Sequence, residues 1–276
     1  MKKNINHCKR IARLSAAMAL AALPMSGFAQ PADAGTIAAE QSKQQTGMTY
    51  GEWSAVWWQY VLSQPTSNPT NPLLDFDTTG ENCKLGQTGS SPVFFLVGAN
   101  VGTPVTRYCN VPAGKKLFFP LVNLFNVHVE GDGLDDAAAL WENLALFYKR
   151  PFEATGLYAR LDHQDVASRP PRRKWSYACA GENQPEGQNC TPAFSLNFPD
   201  NNLFGIPKGL YAPAVAEGYY LMLEPLPVGY HTLEFGGSLT NADNTKSAQK
   251  ITYHLLVTPK RPSEPHQPPR HPNFRF

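Results

Sequence analysis

Proline and glycine constrain this chain more than any other feature. Its 276 residues hold 25 prolines and 21 glycines, and between them the apolar residues fall in short runs rich in valine, leucine, phenylalanine and tyrosine. Runs of that length and composition form strands rather than packed helices. PVFFLVG at 92–98, VTRYC at 105–109 and KLFFPLV at 116–122 come first. The first and third are apolar almost throughout, as expected of buried central strands. Further runs at 157–161, 175–178, 194–198, 219–223, 231–236 and 249–257 bring the expected total to about nine short strands. A turn recurs as VPAG at 111–114, IPKG at 206–209 and LPVG at 226–229, each ahead of an extended segment. Proline sets the entry dihedral of such a turn and glycine gives freedom at its exit. The spacing is irregular, so no internal repeat is implied.

Two stretches read as helices. In MTYGEWSAVWWQYVLS at 48–63, Thr49 is placed as N-cap and Glu52 as its capping-box partner, with Met48 and Trp53 as a hydrophobic staple. Pro65 ends the stretch. Apolar residues cover nearly every side, so this helix should be enclosed. DDAAALWENLALFY at 135–148 is the second, with acidic residues in its first turn, Lys149 and Arg150 at its end and Pro151 beyond. About nine strands with two helices packed on them predict a mainly β, single β-sandwich or jelly-roll-like domain over 47–258.

Residues 1–29 read as a secretory signal peptide: a basic start, an apolar run from Leu14 to Leu23, and small residues before Gln30. The leader holds five basic residues and no acidic one, leaving 19 basic against 22 acidic, a net charge of about −3. Nucleic acid is therefore not an expected partner, and no later stretch is long and apolar enough for a transmembrane helix. Residues 30–46 are expected to be flexible, and the proline-rich tail at 259–276 disordered. Without the leader four cysteines remain, Cys83, Cys109, Cys179 and Cys190. An even set in an exported chain predicts two disulfides, and the local pairs Cys83 with Cys109 and Cys179 with Cys190 are favoured. A zinc site competes, but the spacings are not CxxC-like.

Several residues could carry chemistry. Trp53, Trp57 and Trp58 could stack on sugar rings, although large rings on a helix of this kind usually belong to the core; Trp58, off the main stripe, is the one expected to be exposed. Glu130, Asp132, Asp135 and Asp136 with intervening glycines suit calcium, or else cap the second helix. His128, Glu130, His231 and His254 could form a zinc or iron site if the fold brings them together, though no HxH or HExxH spacing fixes a pair. The basic loop RPPRRK at 169–174 could grip an anionic polymer or simply be solvated. No GxSxG elbow or phosphate-cradling loop is present. Beyond calcium, no cofactor is expected.

The EWS–WW segment at 52–58, NP at 71–72, Cys83 with GQ at 86–87, VFFLVG at 93–98, RYCNVPAGKKLFFP at 107–120 and HTLEFGG at 231–237 together form a pattern. It resembles a group of exported bacterial proteins of unassigned function. The resemblance implies a periplasmic or extracellular location and carries no activity. The expectation is a non-enzymatic exported β-domain that binds a glycan or another envelope component. The alternative is a secreted, possibly metal-dependent enzyme acting on polysaccharide or another extracellular substrate.

Overall fold

The computed structural model describes residues 35–37, 39–65, 78–99, 104–144, 146–149, 154–166, 172–174 and 190–259. The leader, the run at 175–178, Cys179 and the chain beyond Pro259 lie outside them.

Two five-stranded sheets pack into a β-sandwich. Sheet A runs β1 (Val93–Phe95), β3 (Lys116–Val127), β8 (Gly209–Leu223), with β6 (Arg172–Lys174) and β7 (Phe194–Phe198) sharing the far side of β8. Sheet B runs β2 (Val105–Pro112), β10 (Lys246–Thr258), β9 (Gly229–Thr240), β4 (Ala154–Leu161), β5 (Gln164–Asp165). β1 pairs parallel to β3 and β2 parallel to β10; the other pairings are antiparallel. Each recurrent Pro-Gly turn does precede a strand, namely β3, β8 and β9. The polar stretch SLTNADNTKSA at 238–248 is partly strand, since β9 runs on to Thr240 and β10 resumes at Lys246.

Helix α2 (Tyr50–Leu62) has the predicted capping box: the Thr49 amide donates to Glu52 Oε2 at 2.6 Å and the Glu52 amide to Thr49 Oγ1 at 3.2 Å. It lies on the outer face of sheet A, where Trp53, Trp57 and Trp58 pack with Phe95, Phe118, Tyr220 and Met222. The other face of sheet A meets sheet B through Phe94, Leu117, Phe119, Leu121, Leu233, Phe235 and Ile251. Sheet A is therefore buried on both sides, which is why β1 and residues 117–122 of β3 are continuously apolar. α3 (Ala137–Leu144) closes a third cluster with Val122, Leu124, Val215 and Leu239. It is shorter than the expected 135–148, since the chain turns at Leu146 and Phe147 so that Tyr148 can bridge to Asn241.

Residues 39–46, part of the segment expected to be flexible, form secondary structure. A short helix, α1 (Ala39–Thr46), precedes Thr49, and the Tyr50 hydroxyl donates to the Ile37 carbonyl while accepting from the Met222 amide, at 2.9 and 2.8 Å. Ile37 in turn donates from its amide to the Met222 carbonyl at 2.9 Å. This segment thus joins the edge of sheet A, a long-range fit that local composition does not encode.

Buried polar groups stitch the two sheets together. Residues 97–99 leave β1 toward sheet B, and their backbone groups would be unsatisfied without side chains to meet them. Arg107, 1% exposed, donates to the Val97 and Gly98 carbonyls and to the Tyr253 hydroxyl. Gln249 of β10 accepts from the Ala99 amide at 3.1 Å and donates to the Pro120 and Leu121 carbonyls of β3. Those carbonyls lie at a register shift in β3, where Pro120 has no N–H to pair.

Cys83 and Cys109 form the predicted disulfide. Cys190 is disulfide-bonded as well, and the residue expected to pair with it, Cys179, falls outside the described residues. Two outcomes follow. Replacing Cys83 and Cys109 together by serine opens a loop with a sequence separation of 26 and should cost about 3.5 kcal/mol in the chain-entropy treatment, read as a lower denaturation midpoint. Gly51→Ala would put a Cβ 1.3 Å from the Cys190 carbonyl oxygen. Urea titration should therefore show a loss of about 1–3 kcal/mol or more, where an open helical site would gain roughly 0.5–1 kcal/mol.

Candidate functional site

One face of sheet B is not covered by any other described element, and strand alternation decides what it shows. Along β2 the inward residues are Val105, Arg107, Cys109 and Val111, so Thr106, Tyr108 and Asn110 point outward. Register places Tyr108 beside His254, and Leu256 between Asn110 and Tyr230. Tyr108 is 65% exposed and Tyr230 84%. Neighbouring outward positions carry Thr106, Thr232, Thr252 and Glu234, so this apolar group is local.

The Tyr108 and His254 rings stack, with centroids 5.0 Å apart and an interplanar angle of 27°. Beside them the 78–84 segment runs along the outer edge of β2, where the Tyr108 amide donates to the Thr79 carbonyl at 2.8 Å. Gly80, at φ +82, permits that approach: a Cβ there would sit 2.6 Å from the Tyr108 carbonyl oxygen. The disulfide anchors the same segment. Together these residues bound a depression of about 500 Å³, with Glu81 and Lys84 on one wall and Tyr230 and Leu256 on the other side. Among the described residues its lining carries one charge of each sign, with no bias toward a polyanion or polycation.

The tryptophans weighed as stacking candidates do not form this surface. Trp53, Trp57 and Trp58 are 5%, 0% and 4% exposed, because α2 turns its apolar sides into the space between sheet A and the segments that cover it. Trp57 donates from Nε1 to the Leu96 carbonyl at 3.0 Å, and Trp53 from Nε1 to Thr46 Oγ1 at 2.7 Å. Trp58 borders a separate cavity between α2, β3 and the β9–β10 pair.

The histidines are held apart. His231 faces inward on β9, with Nδ1 2.8 Å from Asp162 Oδ2 and Nε2 3.0 Å from the Pro227 carbonyl. His254 is on the opposite face of the same sheet, and His128 follows β3 of the other sheet, its Nδ1 3.0 Å from Asp132 Oδ1. Among the described residues no three His, Cys, Asp or Glu side chains come together in a way that could hold a metal ion.

Carboxylates of the 130–136 loop serve the backbone. Asp132 accepts from the Val129 and Leu134 amides at 2.8 Å each, and Asp136 caps α3 by accepting from the Ala139 amide at 2.8 Å. Asp135 is exposed, with Oδ1 3.9 Å from His128 Nδ1, and Glu130 is exposed. Slight burial works against ionisation of Asp132, but the two amides and His128 outweigh it and hold its carboxyl below the usual aspartate value. Of the basic 169–174 loop, residues 172–174 are described, as the backbone of β6 paired to β8.

Tyr108, Tyr230 and Leu256 escaped sequence reasoning. The phase of β2 was the available signal: with Cys109 turned inward by its disulfide, Tyr108 must turn out. No protein-family model, curated protein or solved structure matches this chain.

Capping predicts a specific pattern. Asp136→Ala should lower stability by about 1 kcal/mol, while added calcium leaves the melting temperature of the wild type unchanged; a calcium-dependent rise would instead make 130–136 a metal loop. Asp132 contributes stability above the usual aspartate range that is lost as pH falls through its lowered value. Asp132→Asn should therefore flatten the acid limb of the stability profile below about pH 4.

Proposed function

We propose that this chain is an exported, non-enzymatic β-domain that binds an uncharged glycan on the outer face of sheet B. The observation that carries the reading is the contiguous group of Tyr108, His254, Leu256 and Tyr230, two of whose rings are largely exposed on a rigid sheet. Apolar faces of sugar rings pack on such rings as other apolar surfaces do, and a tyrosine also offers its hydroxyl. Asn110, Glu81 and Lys84 stand at the edge of the depression, within the same lining, to meet sugar hydroxyls. Rigid aromatic side chains lose little entropy on binding, which favours them as anchors.

Export is supported by the leader-like start of the chain and by the resemblance to exported bacterial proteins. A disulfide is compatible with it, and among the described residues no helix is long and apolar enough to cross a membrane. Convergence of His128, Glu130, His231 and His254 in one pocket would have favoured the enzyme alternative, and three separate local environments hold the histidines instead.

Calorimetric titration of the mature, oxidised protein against neutral oligosaccharides tests the proposal. Cello-, xylo- and chito-oligosaccharides form the panel. At least one should bind saturably, and Tyr108→Ala or Tyr230→Ala should each weaken it about tenfold, roughly 1.4 kcal/mol. Both rings are exposed, so the melting temperature should move little. Unchanged affinity in the double variant, or no binding to any member, would sink the reading.

A further inference from the structure

A second cavity, of about 330 Å³, opens between α2, β3 and the β9–β10 pair. Its volume falls within the range of small-molecule sites, roughly 300–1,000 Å³. One wall is aromatic and graded in exposure. Trp58, 4% exposed, packs on Phe125 with centroids 4.4 Å apart, and Phe125 on Phe204, 49% exposed, at 5.7 Å. Polar side chains lining it include Asn123 and Gln249. The Gln249 amide is already committed to residues 99, 120 and 121. Asn123 donates from Nδ2 to the Tyr220 hydroxyl at 3.2 Å, and its Oδ1 has no partner among the described residues.

We infer that this cavity is a binding site for an uncharged aromatic alcohol, a phenol-type ring, distinct from the surface on sheet B. Among the described residues its lining holds no Asp, Glu, Lys, Arg or His, so a charged ligand would lose its hydration with none of them to replace it. Burial pushes the phenol of Tyr148, another lining residue, upward and keeps it neutral. The number of open acceptors selects among neutral ligands. A hexose would bring several hydroxyls into a space whose amides are mostly engaged and leave them unpaired. One hydroxyl on a flat ring suits Asn123 Oδ1 and the aromatic wall together. The Trp58 indole N–H is a further mark of the site: it is buried without a hydrogen bond of normal geometry, beside the Tyr220 hydroxyl. Such a group is uncommon in a native interior.

4-Ethylphenol, 4-ethylbenzoate and ethylbenzene are the probes, followed by tryptophan fluorescence and calorimetry on the mature, oxidised protein. 4-Ethylphenol should bind saturably, at least tenfold more tightly than the benzoate, and Asn123→Ala should bring its affinity close to that of ethylbenzene. Phe204→Ala, at the open end of the wall, should weaken 4-ethylphenol about tenfold. Ser247→Phe, filling the cavity from β10, should abolish binding and serves if the Phe204 variant fails to fold. Absence of saturable 4-ethylphenol binding, equal affinity for the benzoate, or unchanged affinity in the folded Phe204 and Ser247 variants would each overturn the inference.

Discussion

Trp57 lies fully buried between α2 and sheet A, its indole donating to the Leu96 carbonyl just past β1, and the layering of the molecule depends on that contact. Helix α2 gives sheet A a second covered face. A sheet buried on both sides tolerates hardly any polar side chain, so its strands must be apolar at consecutive positions rather than alternate ones. Phe94 and Leu117 reach sheet B while Phe95 and Phe118 reach α2. The Tyr50 hydroxyl, bonded to both Ile37 and Met222, then draws the preceding segment onto the sheet edge. One helix thereby orders the N-terminal side of the fold as well as covering the sheet.

Sheet B follows the opposite rule. With one face free, its strands alternate, and outward positions answer to water unless something else occupies them. Threonines, Asn110 and Glu234 fit water. Tyr108 and Tyr230 do not, and they belong to one contiguous apolar group, framed by a segment that a disulfide and a left-handed glycine hold in place. Scattered exposed apolar residues need no explanation, but a clustered and braced set does. This contrast between the sheets is what directs the functional reading to sheet B and away from the tryptophans.

Much of the architecture is legible from local chemistry. The capping box of α2, the Pro-Gly turns ahead of β3, β8 and β9, and the runs that became β1, β3, β4, β7 and β10 all rest on neighbours within a few residues. The Cys83–Cys109 pair was legible from spacing. What escaped depends on partners far along the chain. α1 and residues 35–37 are polar or small, and their order comes from Tyr50 and β8. Helix α3 stops early because Tyr148 pairs with Asn241, nearly a hundred positions away. The extension of β8 back to Gly209 requires β7 as its partner. Trp58 looked outward because it lies off the main stripe of α2, but sheet A and the cavity wall enclose that side too.

The same reasoning explains why a cluster of histidines suggested by the sequence does not form. His231 and His254 occupy adjacent strands, and β9 pairs with β10 so that His231 meets Leu255 while His254 meets Thr232. That offset of one residue sends the two rings to opposite faces of the sheet. His231 turns toward Asp162 in the β4–β5 turn; His254 turns out to stack on Tyr108. A one-residue slip would have put both on the same face and moved either Leu233 and Phe235 or Ile251 and Tyr253 out of the core, so the hydrophobic pattern that fixes the register also keeps these two histidines apart. Register here gives sheet B its aromatic outer surface and removes the histidine pair in a single step.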